Sequence, residues 1–270
     1  MGSLTSETPT FETLRIAHEG RIGRITLDRP EKLNPLSTLC LEELALAAKW
    51  FNGQDAIRVV VVTGAGRAFT AGADLSAFSA GDSGIARSGA DAGRLMAEAI
   101  ESMQAVTIAA IHGHCVGGGV VLAGACDFRV AAESTRFSIP EVDLGIPLAW
   151  GGIPRLVREI GPALTKELVM TCRPFGADEA KAAGFLNRVV AEDRLDDEVD
   201  ELAEAVASRP RFAVLATKAH TNAVTEQMVG LARSWSDADG LAGGLRDPEG
   251  RRAREHYLEE RMQGKHDSDA

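Results

Sequence analysis

Residues 108–132 read IAAIHGHCVGGGVVLAGACDFRVAA, and residues 136–152 read RFSIPEVDLGIPLAWGG. The apolar run that ends at Gly117, Gly118 and Gly119 predicts a buried strand that turns into a helix. Three successive residues without side chains predict that the backbone comes close to something else. Glu141 stands in mostly apolar company, which raises the pKa of a carboxyl group. The stretch therefore predicts backbone N–H groups that stabilise a developing anion, with one acid/base beside them.

Length and composition are those of an ordinary globular protein. The chain has 270 residues, of which 45% are hydrophobic and 25% charged, and this suits one large domain or one domain with a helical appendage. A net charge of −10 argues against nucleic acid as the main partner. No apolar run is long enough for a membrane span, and residues 1–10 lack the apolar core of a signal peptide, so we expect a cytoplasmic protein.

The four cysteines are scattered, with no C-x-x-C pair among them. We expect Cys40, Cys115, Cys126 and Cys172 to be small buried hydrophobes in a reducing compartment.

The order of strand and helix patterns predicts the domain organisation. Strands alternate with helices as far as residue 195, and only helical, charged patterns follow, which favours an α/β fold closed by a helical C-terminal part. We expect a disordered N-terminus (1–10), an α/β core (11–195), a helical region (196–262) and a disordered tail (263–270).

Two segments of the predicted core are informative about local structure. Four consecutive valines at 59–62 predict a strand buried on both faces. Residues 76–93 are rich in Gly, Ser and Ala and predict a mobile loop or lid. A helix is predicted after it, from Asp91 to Gln104.

Three glycine-rich turns follow predicted strands, at residues 64–66, 71–74 and 117–119. The first has the G-x-G of a dinucleotide-binding turn, but Phe69 stands where the third glycine belongs, so we do not expect a nucleotide phosphate there. Judged by glycine alone, the other two turns are also typical of a structural role, in tight turns and close helix packing.

Five segments, taken in order and spacing, resemble the crotonase superfamily (enoyl-CoA hydratase/isomerase) over residues 11–262. They are RPEKLNPL (29–36), GAGRAFTAGADL (64–75), IHGHCVGGG (111–119), CDFRVAA (126–132) and PEVDLG (140–145). The resemblance implies a spiral of β-β-α units followed by a helical trimerisation region. It also implies an acyl-CoA substrate and assembly into a homotrimer or a hexamer (a dimer of trimers).

The resemblance further implies the roles of particular residues. The backbone N–H groups of Ala73 and Gly118 match the oxyanion hole, and Glu141 matches the acid/base. Contacts to substrate or coenzyme A are implied at Lys32, Leu33, Ala71, Gly72, Asp74, Leu75, Gly117, Trp150 and Tyr257. We expect no metal and no redox cofactor, since His and Cys do not cluster in the sequence; coenzyme A enters as part of the substrate.

This sequence departs from the pattern of the hydratases in that family at Val121. Hydratases carry a second glutamate at that position, and valine cannot hold water or move a proton. A lone glutamate resembles the Δ3,Δ2-enoyl-CoA isomerases, in which one base moves a proton between two carbons. The additional carboxylates of dienoyl-CoA isomerases are missing too, at Val121 and Ala149.

Two alternatives stay open at this point. One is a 2-enoyl-CoA hydratase of fatty-acid β-oxidation in which another group, Asp143 or His114, replaces the missing glutamate. The other is an acyl-CoA-binding protein without catalytic activity.

Overall fold

The computed structural model describes residues 8–74 and 83–268, and for residues 83–90, 233, 235 and 261–268 it describes the backbone alone. The described strands are β1 (Leu14–Glu19), β2 (Ile22–Leu27), β3 (Val59–Gly64), β4 (Val106–Ile111), β5 (His114–Val116), β6 (Phe128–Ala132), β7 (Arg136–Ser138), β8 (Phe175–Gly176) and β9 (Arg188–Val190). The described α-helices are α1 (Thr38–Asn52), α2 (Ser83–Glu101), α3 (Gly118–Gly124), α4 (Gly152–Thr171), α5 (Ala177–Ala182), α6 (Leu195–Ala207), α7 (Arg211–Met228), α8 (Asp237–Arg246) and α9 (Pro248–Ser268).

The strands form two sheets. The larger has the order β1-β2-β3-β4-β6-β9, in which β1 and β2 are an antiparallel hairpin and the other neighbours are parallel. The smaller has the order β5-β7-β8. The chain passes from one sheet to the other and then into a helix in β4-β5-α3, and again in β6-β7-α4. The predicted α/β class, with β-β-α units and a helical C-terminal region, is thus confirmed.

The central strand β3 is buried on both faces, as its valines predict. Val59 to Val62 are all fully buried, and their side chains alternate between two apolar clusters. Val60 and Val62 belong to the main core beneath α1, α2 and α3, while Val59 and Val61 pack against α6, for example at Val199. Helices therefore cover both faces of this parallel sheet, which leaves its loops as the place for polar chemistry.

Helix α2 begins at Ser83, earlier than the predicted start at Asp91. The predicted loop at 76–93 is therefore wrong from residue 83 onward, and residues 76–82 lie outside the described part of the chain. Packing against α1 and α8 holds this Gly- and Ser-rich segment in a helix despite its low intrinsic propensity. The sequence patterns also missed α8 and the short strands of the smaller sheet.

The C-terminal half contains a kinked helix, α4, and a long terminal helix, α9. Helix α4 has two arms on either side of Gly161, where it kinks because Gly161 has the non-helical φ of 73° and ψ of 166°. Helix α9 continues to Ser268, into the segment that is predicted to be disordered. Residues 1–7 and 269–270 of the predicted disordered ends lie outside the described residues.

Asn34 joins two loops that lead toward the edge of the sheet. Its buried side-chain amide donates to the carbonyls of Ala65 (2.9 Å), Ala68 (2.8 Å) and Phe69 (3.3 Å), and its Oδ1 accepts from the N–H of Arg29 (2.9 Å). Asn adopts the required left-handed backbone, here with φ 53°, more readily than most residues. The loop at 29–36 is therefore fixed to the turn that follows β3.

We predict that Asn34→Ala lowers the free energy of unfolding by about 2 kcal/mol or more, because it leaves several buried backbone groups without a partner. Denaturant titration measures this change. Asn52→Ala is the control: its Oδ1 accepts a single exposed hydrogen bond, from Gln104 N at 2.9 Å. A similar loss in the two variants would contradict the role given to Asn34.

Candidate active site

A small cavity brings together residues from widely separated parts of the chain. It is lined by Ala73, Gly118, Val121, Glu141, residues 146–150 and Leu241. Its free volume is about 30 Å³, enough for roughly two water molecules. The three residues matched to the oxyanion hole and the acid/base thus lie around one cavity.

Glu141 carries a buried and unpaired carboxyl oxygen. It follows β7, where Ile139 is fully buried, and its backbone carbonyl accepts from the N–H groups of Leu144 (3.1 Å) and Ile146 (3.0 Å). The residue as a whole is partly exposed, but its Oε2 is buried without a hydrogen-bond partner among the described residues. Burial raises the pKa of Glu141 from 4.5 to about 7. A carboxyl group with this pKa can both accept and donate a proton near neutral pH.

The glycine cluster brings the backbone against this carboxyl group. Gly117 has φ 51°, its N–H donates to Ser138 O at 2.8 Å, and a side chain on it would collide with Oε1 of Glu141. Gly118 is the first residue of α3, so its N–H has no partner within the helix. The structure therefore places a free backbone donor one residue after the glycine that contacts Glu141.

Ala73 reaches the cavity on a turn that pairs with the loop at 29–36. Leu36 N donates to Gly72 O at 2.8 Å, and Asp74 N donates to Leu36 O at 3.2 Å. Gly72 has φ 89°, and a side chain there would lie 2.6 Å from Val116 O. No acceptor among the described residues takes the N–H of Ala73 or that of Gly118. Both N–H groups are therefore available to a ligand, as an oxyanion hole requires.

The two positions at which the resemblance implies missing carboxylates are apolar in this cavity. Val121 is 2% exposed, and both Val121 and Ala149 line the cavity. Asp143 and His114 are exposed and are absent from the described lining. Neither side chain therefore reaches the described lining of this cavity beside Glu141.

Trp150 lines the cavity, as predicted, in an uncommon backbone conformation. Its φ of 61° lies in the left-handed region, which is costly for a bulky residue. Its indole ring occupies the space that side chains would fill at Gly93 of α2 and at Gly118 of α3.

Leu241 is a lining residue that the sequence patterns missed. It comes from α8, whose sequence DADGLAGGLR contains three glycines and so gives a weak helical signal. The apolar spacing of Leu241 and Leu245 was the available signal. Because α8 packs against the loop after Glu141, a residue far along the chain becomes part of the site.

The remaining residues that the resemblance assigns to substrate or coenzyme A are absent from the described lining of the cavity. Lys32 is exposed beside Leu33, whose carbonyl accepts from Ala71 N at 2.8 Å. Gly72, Asp74 and Gly117 adjoin lining residues without lining the cavity themselves, and Leu75 lies outside the described residues.

Tyr257 is absent from the described lining of the cavity but lies behind it. It packs on an apolar cluster that contains Leu144, Ile146 and Leu241. That Tyr257 contacts substrate or coenzyme A stays a prediction.

The cysteines and the potential metal ligands are the remaining candidates for chemistry in this chain. All four cysteines are free and buried, as the prediction of small buried hydrophobes has it. Among the residues whose side chains the structure describes, no group of three or more His, Cys, Asp or Glu is arranged to hold a metal ion. In the same part of the chain, no helix combines the length and apolar character needed to cross a membrane.

Comparison with solved structures places this fold and cavity in a known class. The chain superimposes on a crystal structure of an enoyl-CoA hydratase/isomerase from Xanthobacter autotrophicus Py2 with a TM-score of 0.84 and 28% identity, covering 93% of this chain and 99% of the other. The family model described as enoyl-CoA hydratase/isomerase matches residues 17–264. The chain therefore belongs to the enoyl-CoA hydratase/isomerase family, within the crotonase superfamily.

The chain is also similar to two proteins that are named for different activities. It is 35% identical to a crotonyl-CoA hydratase of Syntrophomonas wolfei, over 88% of this chain and 92% of the relative. It is 38% identical to a carnitinyl-CoA dehydratase of Escherichia coli K12, over 77% and 79% of the two chains.

We predict that Glu141→Gln increases stability more at alkaline than at acidic pH. A pKa raised from 4.5 to about 7 means that the folded protein favours the neutral carboxyl, so this contribution is complete below 4.5 and is lost as pH rises through about 7. The gain of Gln over Glu should therefore grow by about 3 kcal/mol between about pH 4 and about pH 8.

Denaturant titrations at several pH values measure this difference. Exposed Glu133 provides the control, since Glu133→Gln should show no such growth with pH. A gain in Glu141→Gln that is independent of pH would show that the Glu141 carboxyl is not desolvated.

Proposed function

We propose that this chain is an enzyme that moves a double bond in an enoyl-CoA thioester, from the 3,4 to the 2,3 position, with Glu141 as the single acid/base. The observation that carries the proposal is the cavity itself. Of the described residues that line it, Glu141 alone has an ionisable side chain, and its Oε2 is buried and unpaired.

The proton transfers need one carboxylate only. Ionised Glu141 takes a proton from C2, and the electrons of that C–H bond delocalise into the thioester to give a dienolate. The protonated carboxyl then returns the proton to C4, the double bond forms between C2 and C3, and Glu141 is again ionised. With a pKa of about 7, Glu141 is about half ionised at neutral pH, so both transfers are accessible.

The N–H groups of Ala73 and Gly118 supply the second requirement of this reaction. As charge moves onto the thioester oxygen, two donors held by the backbone stabilise it without reorganising. By analogy with other oxyanion holes, each is worth roughly 3–4 kcal/mol of the barrier. Both residues line the cavity with Glu141, which supports their assignment.

Hydration of a 2-enoyl-CoA is the second candidate, and the relatives named as a crotonyl-CoA hydratase and a carnitinyl-CoA dehydratase favour it. The cavity has room for a water molecule. Val121 and Ala149 argue against this candidate, because neither holds a water against the substrate as a second carboxylate does.

A binding protein without activity is a weaker candidate. Leaving a carboxyl group buried and unpaired destabilises a protein, and binding alone does not need it. We further propose that coenzyme A enters only as part of the substrate, with no metal or redox cofactor. A homotrimeric or hexameric assembly and a cytoplasmic location complete the proposal.

We predict that Glu141→Gln lowers kcat for 3-enoyl-CoA isomerisation by about a hundredfold or more, while acyl-CoA still binds, because Gln cannot accept a proton. Assays with 2-enoyl-, 3-enoyl- and 3-hydroxyacyl-CoA identify the products, and calorimetry with a saturated acyl-CoA measures binding. In the unmodified enzyme, kcat/KM should rise with pH through about 7, because the ionised carboxyl is the active form.

Glu133→Gln is the matched control and should leave turnover unchanged. Full activity in Glu141→Gln would eliminate Glu141 as the acid/base. Hydration of a 2-enoyl-CoA without isomerisation would instead establish the second candidate.

We predict that Val121→Glu gains hydratase activity, since it places a second carboxylate in the same cavity as Glu141. The measurement is the rate of 3-hydroxyacyl-CoA formation from a 2-enoyl-CoA. Val121→Gln is the control of equal size that cannot transfer a proton. Equal rates in the two variants, with acyl-CoA binding intact, would contradict the role given to Val121.

A further inference from the structure

Glu141 is the one ionisable residue in the described lining of the cavity. Apart from Ala73, Gly118, Val121 and Glu141, that lining consists of residues 146–150 and Leu241, all without ionisable groups. A free volume of about 30 Å³ accommodates roughly two groups of the size of water or a methylene. We propose that Trp150 and Leu241 are walls of the cavity that receives the acyl group and that they restrict the enzyme to short acyl groups.

The ring of Trp150 fits closely between helices α2 and α3, because each helix has a glycine where it faces the ring. A side chain at Gly93 would overlap the indole atoms Cδ2, Cε2 and Nε1, and a side chain at Gly118 would overlap its Cζ3. The ring therefore lies directly against the backbone of α2 and of α3. Because Gly118 also supplies the proposed N–H donor, the wall stands next to the thioester position.

The backbone of Trp150 is held by charged side chains on both sides. Arg155 Nη1 donates to Trp150 O at 3.1 Å and to Gly151 O at 3.2 Å, and Asp237 Oδ2 accepts from Gly151 N at 2.8 Å. Arg155 is itself paired with Glu101 at 2.5 Å. A left-handed Trp persists only where its surroundings determine its conformation, and these bonds do so. The ring is thus held in place and cannot swing away from a longer chain at low cost.

Leu241 forms the opposing wall from α8. It is buried in a cluster with Leu144, Ile146 and Ala238. The backbone of the loop after Glu141 lies against α8 and the start of α9, since a side chain at Gly244 or at Gly250 would come within 2.7 Å of Gly145 O. This close packing leaves no room for the loop to retreat when a longer acyl group enters.

Equilibrium binding of a ladder of saturated acyl-CoA thioesters, from acetyl to dodecanoyl, tests the proposal in the full-length protein. We expect the tightest binding near butanoyl-CoA and at least tenfold weaker binding of decanoyl-CoA. Leu241→Ala should shift the optimum toward longer chains and tighten octanoyl-CoA binding at least tenfold, because it removes apolar atoms from the wall. Trp150→Ala should shift the optimum in the same direction.

Leu245→Ala is the matched control. Leu245 lies one turn further along α8, packs against the same cluster and is absent from the described lining of the cavity. The Leu245→Ala variant should have a lower melting temperature but the same order of affinities for the acyl-CoA series as the unmodified protein. Circular dichroism verifies the fold of each variant, and if Trp150→Ala does not fold, Leu241→Ala alone decides the question.

This proposal rests on the proposed function only because it takes acyl-CoA as the ligand. Binding of saturated thioesters is measured without any turnover. A preference for short chains without isomerase activity would support the wall and overturn only the reaction. Binding of dodecanoyl-CoA as tightly as butanoyl-CoA by the unmodified protein would overturn the wall. An equal shift of the ladder in Leu241→Ala and Leu245→Ala would also overturn it.

Discussion

The buried carboxyl group of Glu141 is the constraint on which the rest of the site depends. Its Oε2 lacks a partner among the described residues, and its Oε1 lies where a side chain at Gly117 would be. Keeping such a group out of water costs stability, and that cost appears as a pKa raised to about 7. Only bare backbone fits at Gly117, between β7, α3 and this side chain.

Close backbone approach extends outward from that point. Gly72 lies against Val116 O, which brings the turn with Ala73 beside the start of α3. Asn34 fixes the loop at 29–36 to the turn after β3, and that loop pairs with residues 71–74. The C-terminal helix α8 then closes the cavity with Leu241. The site is thus assembled from four segments whose relative positions depend on backbone hydrogen bonds and apolar packing together.

Much of this arrangement could be predicted from local sequence signals. The four valines of β3 predicted a strand buried on both faces, because only a sheet covered by helices on both sides needs such a run. The resemblance to the crotonase superfamily, rather than any local signal, implied that the glycine turns meet Glu141 and that a carboxylate is missing at Val121. The failures occurred where local signals are weak or where long-range packing overrides them. Helices α2 and α8 are rich in glycine, and each is held by packing against the other.

The sequence by itself determined the family, the strand and helix alternation and the presence of a single glutamate where two would be expected, because these depend on residue type and spacing. The tertiary structure alone decided that Asp143 and His114 are exposed, that Trp150 lies between Gly93 and Gly118 and that Leu241 lines the cavity. It also decided the pKa of Glu141. These properties depend on the direction of side chains and on contacts between residues far apart in the chain, and no short stretch of sequence specifies either.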